Sequence, residues 1–250
     1  MNDGYSGRAE REITHGKLLA TADTETIWGW GTPAGRRRAK RRANLVSTAA
    51  RLGPGVRALE VGCGTGVFTE LFAQAGATIV AVDISPELLE KAKVRGISAD
   101  RVQFLCKRFE EYDLQGQFDA VIGSSVLHHL EIRPAFAAIY RLLKPGGIMA
   151  FAEPNRLNPQ VFAERTFLRR CLTYVSPDET AFVRWSLQGL LRQIGFDEIR
   201  IFPFDWLHPL TPEALIRLMI SMGCLMEKIP GLKEFAGSLL IRCRRPVQAR

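Results

Sequence analysis

Between residues 57 and 154, short apolar runs alternate with longer segments of mixed polarity. "RALEVG", "TIVAVDIS", "VQFLCK", "FDAVIGSS" and "IMAFAEP" are apolar along most of their length, the pattern of strands buried on both faces. Between them, "GVFTELFAQAG", "PELLEKAKVRG" and "RPAFAAIYRLLKPGG" read as helices. Pro86 suits a first helical turn, and Pro-Gly-Gly predicts where the third helix stops. Such alternation predicts a parallel sheet covered on both faces.

The flanks follow the same logic. Residues 1–20 read as a flexible or loosely helical lead, "TIWGWGTPAG" (26–35) as a loop, and 36–52 as a helix ended by Gly-Pro-Gly. A polar, Pro-rich stretch (154–180) precedes the helix "RWSLQGLLRQIGF", then the strands "EIRIFPFDW" and "GSLLIRCRRP". The segment "LTPEALIRLMISMGCLMEKIPGLKEFA" between those strands has the length of two helices. The expected fold is α/β: a Rossmann-like, doubly wound, mostly parallel seven-stranded sheet. It carries an N-terminal helical lead and lid (1–52), and a main domain (53–250) with a helical insertion at about 207–236 before the last strand.

Composition narrows this little. At 250 residues, 46% hydrophobic and 24% charged, the chain suits one ordinary globular domain. No run of 18 uncharged apolar residues exists, so no transmembrane helix is expected, and the polar N-terminus does not read as a signal peptide. Cys63, Cys106, Cys171, Cys224 and Cys243 are scattered without a CxxC pair, which points to a reducing cytoplasm and away from a disulfide framework or a metal site. Much of the net charge of +8 sits in "RRRAKRR" (36–42) and in "IRCRRPVQAR" at the C-terminus. The first run reads either as the solvated face of a helix or as a contact for nucleic acid or an anionic membrane. Aromatics do not interleave with it, as they do on a single-strand stacking platform.

The candidate chemistry begins at "LEVGCGTGVFTELF". Gly62, Gly64 and Gly66 spell GxGxG; a dinucleotide fingerprint wants its third glycine at 67, where Val67 stands. Glu60 precedes the loop, and a carboxylate there repels a phosphate but stabilises a cationic group. Asp83 closes the second strand, 17 residues after Gly66, where a carboxylate accepts hydrogen bonds from ribose hydroxyls. A ligand with a ribose, a positive group and no phosphate satisfies all three conditions, and S-adenosylmethionine is one.

"LEVGCGTGVFTELFAQAGATIVAVDISPELLEKA", followed by "FDAVIGSSVLHHL" and "LLKPGGIMAFAEPN", resembles the successive motifs of the class I S-adenosylmethionine-dependent methyltransferases over residues 55–155. The resemblance implies that the backbone of Gly62, Cys63, Gly64 and Gly66 approaches the cofactor, and that Glu60 orders the loop or meets the amino group. It implies that Asp83 takes the ribose diol and Ile84 packs on the adenine. Where the family often has an acidic adenine contact, this chain has Arg108, so backbone groups of Arg108 and Phe109, or the Glu110 carboxylate, take that role. The Ser124 carbonyl is expected to meet the amino group. Trp30, in "WGWGTPAG", reads either as a core plug or as part of a lid over the sulfonium.

His128, His129 and His208 are the candidate general bases for an acceptor that must lose a proton; for the first two the alternative is an orienting role. Glu153, Asn155 and Arg156 end the fifth strand and are candidate acceptor contacts. The chain lacks the Asn/Asp-Pro-Pro-Tyr/Phe, Pro-Cys and acidic-cluster signatures of exocyclic-amine, pyrimidine C5 and metal-dependent methylation. The implied partner is a small acceptor, with RNA methylation through residues 36–42 and non-catalytic cofactor binding as alternatives, in a monomer or homodimer. Leu215, Leu218, Met219, Met222, Leu225 and Met226 share helical spacing in the insertion. That face reads as extra core, as the wall of a greasy acceptor pocket, or as a docking surface for a membrane or second subunit.

Overall fold

The computed structural model describes residues 3–111, 117–167 and 181–247. Seven strands, β1 (Arg57–Val61), β2 (Thr78–Asp83), β3 (Val102–Cys106), β4 (Phe118–Ser124), β5 (Leu143–Pro154), β6 (Asp197–Phe204) and β7 (Ser238–Arg244), form one sheet in the order β3-β2-β1-β4-β5-β7-β6. The first five are parallel; β7 runs antiparallel to both β5 and β6. The expected Rossmann-like fold is therefore present. Strand order reverses between β1 and β4, so their carboxyl ends border the crevice where open α/β sheets bind ligands.

The helices are α1 (Asp3–Ala20), α2 (Thr24–Ile27), α3 (Pro33–Ala50), α4 (Val67–Ala73), α5 (Pro86–Lys93), α6 (Ile132–Leu142), α7 (Pro159–Thr166), α8 (Arg184–Ile194) and α9 (Ile216–Met226). Two apolar clusters sandwich the sheet. One joins α6 and α8 to it through Phe118, Phe136 and Phe151; the other joins α3 and α4 through Val46, Phe72 and Ile79.

One local reading is sharpened and three are corrected. The lead is a helix, α1, seated on α5: a Cβ on Gly16 would come within 2.8 Å of Ser85 Oγ. The loop at 26–35 overlaps a single helical turn capped by Asp23, whose carboxylate accepts from Thr26 N–H. Pro-Gly-Gly does not stop α6, which ends at Leu142; Leu143 already pairs with Phe118, and Gly146 (φ +82°) makes a bend whose N–H donates to Arg245 O. The Pro145 ring bars only Lys144 from the helical region, whereas Leu143 (φ −71°, ψ 141°) has already left it to pair with β4. The polar, Pro-rich stretch, for which the sequence reading assigns no element, contains α7, because Asn158 caps it and Pro159 fills its first position. Residues 168–180, Cys171 included, lie outside the described residues.

The insertion also differs. It holds one α-helix, α9, between single 3-10 turns at Glu213–Leu215 and Leu232–Phe235, rather than a helix pair.

Candidate active site

Three glycines shape the β1–α4 loop, each for a separate reason. All have positive φ, +67° at Gly62, +52° at Gly64 and +79° at Gly66. A Cβ on Gly62 would lie 2.3 Å from Val126 Cγ2, so only glycine lets β1 and the β4 exit meet. Gly64 lies under the Trp28 ring. Gly66 caps α4 and packs on Ala92 of α5, facing away from the crevice. The Asp83 carboxylate ties the loop down: Oδ2 accepts from Gly64 N–H at 2.7 Å and Oδ1 from Ser85 N–H at 2.9 Å. Burial raises the Asp83 pKa, and those amides pull it back.

Glu60 sits behind the loop and is buried. Desolvation raises its carboxyl to about 8, and Oε2 has no hydrogen-bond partner among the described residues. The nearby Thr69 hydroxyl favours the charged form and pulls the value back.

Arg42 closes the basic run yet is 1% exposed. Its Nε donates to Ser124 Oγ (2.8 Å), Nη1 to Ser238 Oγ (2.6 Å), and Nη2 to Ser125 Oγ (3.2 Å) and Ala152 O (2.8 Å). Ser125 is itself held at φ +58°. Four of the five guanidinium N–H groups are thus engaged, and no carboxylate of the described residues pairs with the charge. Burial lowers its pKa to about 10, leaving it a cation at neutral pH. Its neighbours also turn inward: Arg38 pairs with Asp205 at 2.9 Å and Arg41 with Glu227 at 2.9 and 2.6 Å. Only Arg36, Arg37 and Lys40 of the run are exposed, so the run is not a continuous basic surface.

The strand ends of β4 and β5 join two candidates. Glu153 Oε1 accepts from the N–H groups of Val126 and Leu127 at 2.9 and 3.0 Å, which caps the short 3-10 turn Leu127–His129; Oε2 lies 2.7 Å from His128 Nδ1. A carboxylate at Nδ1 holds the proton there and makes Nε2 the basic nitrogen. His129 stacks on His128 at 4.2 Å between centroids, with Nδ1 3.1 Å from Glu12 of α1. His208 is differently held. Its Nδ1 accepts from Leu210 N–H (3.1 Å), and its Nε2 lies 2.9 Å from the Gln160 amide nitrogen. Burial lowers its pKa.

One cavity of about 560 Å³ gathers most of these groups. Of the residues singled out from sequence, Trp30, Gly62, Cys63, Gly64, Asp83, Ile84, Arg108, Phe109, Glu110, Ser124, His128, His129 and His208 line it. Glu60 and Gly66 do not; one is buried beneath the loop, the other turned toward α5. Glu153, Asn155 and Arg156 are not on the wall either: Glu153 supports the His128 turn, and Asn155 donates to the Glu234 and Ala236 carbonyls. Burial keeps the Cys63 thiol protonated and raises Glu110. Trp28, the other tryptophan of the Trp30 loop, is on the wall too, and the wall adds residues that sequence reasoning missed: Arg42, Ser125, and Glu12 and His15 from α1. The Met219 and Met222 side chains do not reach it, which removes the greasy-pocket reading of the insertion.

The family described as methyltransferase domain matches residues 59–151. An uncharacterized methyltransferase of Synechocystis sp. is 34% identical over 157 residues, 60% of this chain and 70% of that protein. The ubiquinone biosynthesis O-methyltransferase of Xanthomonas oryzae is 38% identical over 113 residues, 44% of this chain; the match spans only 47% of that enzyme. The structure of the N-methyltransferase NodS from Bradyrhizobium japonicum, in complex with S-adenosyl-L-homocysteine, aligns with a TM-score of 0.62 at 18% identity, covering 94% of this chain and 98% of that one. At that identity the likeness is one of fold.

Proposed function

Because this chain belongs to the class I S-adenosylmethionine-dependent methyltransferases, we propose that its cavity methylates a hydroxyl group of a small acceptor, with His128 as the general base. The observation that carries this reading is the buried Glu153–His128 pair on the cavity wall. A base is wasted on an acceptor with no proton to lose, and a hydroxyl becomes a competent nucleophile as its proton leaves. The O-methyltransferase named above is consistent with it.

The residues present fit the cofactor. Each Asp83 oxygen spends one lone pair on a backbone N–H, leaving one apiece for two ribose hydroxyls. The unspent Arg42 N–H, on a buried cation without a carboxylate partner, suits the carboxylate of the methionine portion. Ile84 packs on the adenine, backbone groups of Arg108 and Phe109 bound its edge, and the Ser124 carbonyl accepts from the ammonium. Glu60 orders the loop from behind. Bound there, S-adenosylmethionine supplies a methyl group on a sulfonium, already a good leaving group.

The chain does the rest. Glu153 fixes the His128 tautomer, Nε2 takes the acceptor's proton as its oxygen bonds to carbon, and the wall holds the two reactants in line. Trp28 and Trp30 close one side against water; Trp30 is braced edge-on by Phe68 at 5.2 Å. His129 orients α1 through Glu12, and His208, with Nδ1 already accepting, is a wall contact rather than a base.

The test is transfer of labelled methyl groups to a panel of phenols, alcohols and amines by the wild type and by His128→Ala. We expect methyl ether products and a loss of turnover in the variant at unchanged S-adenosylhomocysteine affinity. Equal turnover by the variant refutes His128 as base; products confined to amines refute the hydroxyl acceptor.

A further inference from the structure

The insertion helix presents an apolar stripe to solvent. At 100° per residue, Leu218, Met222, Leu225 and Ile229 fall within about 60° of one another, with Leu215 about 20° beyond. Ile229 extends the stripe because its N–H donates to Met226 O in the turn after α9. These five side chains are 43–62% exposed, whereas Ile216 and Gly223, on the opposite side, are buried and anchor the helix. The stripe is therefore neither core nor cavity wall.

Charge alongside the stripe indicates what covers it. Arg217 and Lys228 project about 70° from its edge, both exposed and without an ion-pair partner among the described residues. Glu227, next to Lys228, is turned inward to Arg41 and to the Asp205 N–H, and the exposed Glu213, one turn before Arg217, makes no ion pair with it. An apolar ridge flanked by exposed cations that make no ion pair matches a lipid surface with anionic headgroups, where the apolar side chains enter the headgroup–acyl boundary and the cations remain at the phosphates. A second copy of this chain fits poorly: five side chains on one short helix fall well short of the roughly 800 Å² per partner of a stable interface.

We propose that α9 and the turn after it are a peripheral docking surface for an anionic lipid bilayer. Leu210, which is 76% exposed and lines the cavity, stands five residues before Leu215, so docking brings a cavity wall close to the lipid. The docking itself does not depend on which group is methylated.

Co-sedimentation of the full chain with phosphatidylcholine vesicles, with and without one-third phosphatidylglycerol, tests this. We expect binding to the anionic vesicles that weakens with salt, and at least about a tenfold loss both in Leu218→Glu/Leu225→Glu and in Arg217→Glu/Lys228→Glu. All four positions are exposed, so a circular-dichroism melt should show both variants folded. No binding by the wild type, equal binding to neutral vesicles, or undiminished binding by the variants overturns the proposal. So does a wild-type dimer by light scattering that the Leu218/Leu225 variant converts to monomer, which assigns the stripe to a second copy.

Discussion

Replacing Glu153 by glutamine isolates the chemistry of the His128 pair from its architecture. The carboxylate serves three donors: the N–H groups of Val126 and Leu127 at Oε1, and His128 Nδ1 at Oε2. Glutamine has the same shape, and its carbonyl oxygen must stay on the two backbone donors, because the reversed amide sets N–H against N–H. The –NH₂ then faces His128 Nδ1, which becomes an acceptor, and the ring proton moves to Nε2. The base disappears while the ring stays in place. General-base catalysis is worth about 10²–10⁴-fold, so a fall of that order in the single-turnover rate is expected. Stability changes less. Charge-assisted bonds become neutral ones, a loss of about 1–3 kcal/mol, offset in part because an ionised carboxylate no longer has to be buried, the same burial that raises the pKa of Glu153. Glu153→Ala is a poorer probe, since two buried N–H groups lose their acceptor at about 1–3 kcal/mol each. The assay is rapid-quench transfer of labelled methyl across pH 6–9, with S-adenosylhomocysteine affinity by calorimetry. A rate within threefold of wild type at equal affinity means that the His128 tautomer does not matter, and the proposed base is wrong.

The remaining expectations concern the cofactor end and the frame. Arg42→Met should weaken S-adenosylhomocysteine binding about 10–100-fold through loss of a charge-assisted contact, and Arg42→Lys should fall between; calorimetry showing no change removes Arg42 from the site. Gly62→Ala puts a methyl 2.3 Å from Val126 Cγ2 at φ +67°, costing about 2–4 kcal/mol and lowering Tm by about 4–15 °C; an unshifted Tm contradicts the close approach. Glu60 has a folded pKa of about 8, above the ordinary 4.5. Folding therefore favours its neutral form, and as pH rises from 4.5 to 8 the chain loses up to about 1.4 kcal/mol per unit on this account. Glu60→Gln should flatten that slope in urea melts, and an unaltered slope assigns the pH dependence elsewhere. Arg36→Ala/Arg37→Ala/Lys40→Ala removes the exposed cations of the basic run and should leave small-molecule turnover intact; a collapse of activity together with lost RNA retention revives the nucleic-acid alternative.

What the sequence disclosed follows from how local each signal is. β1, β2 and β4 are mostly apolar runs between turn residues, and the glycine loop needs positive φ within a few residues, so both are written in short stretches. Glu153 and His128 were each visible at a strand end, but their partnership needs β4 and β5 to be neighbours, which spacing does not encode. Arg42 could have been caught. It shares helical spacing with Ala39, Ala43, Val46 and Ala50, the buried stripe of α3, and a cation in such a stripe marks a site. The run of charge around it hid that position. The exposed stripe of α9 has the same periodicity as a core-facing one, and only packing shows that Ile216 and Gly223, not the leucines, face inward.

The position of β7 bears on how the protein comes into being. It lies between β5 and β6 although both precede it in the chain, so until residues 238–244 exist, the outer edge of β5 and the whole of β6 lack their partner. During synthesis this half of the sheet cannot zip up as it emerges; it waits, with Phe151 and Met149 on an open edge, for a segment made nearly ninety residues later. The same strand delivers Ser238 to Arg42. The arginine proposed as the cofactor's anchor thus acquires its last hydroxyl in the step that closes the sheet, and on that proposal a nascent chain gains its ligand grip only when its open edge is covered.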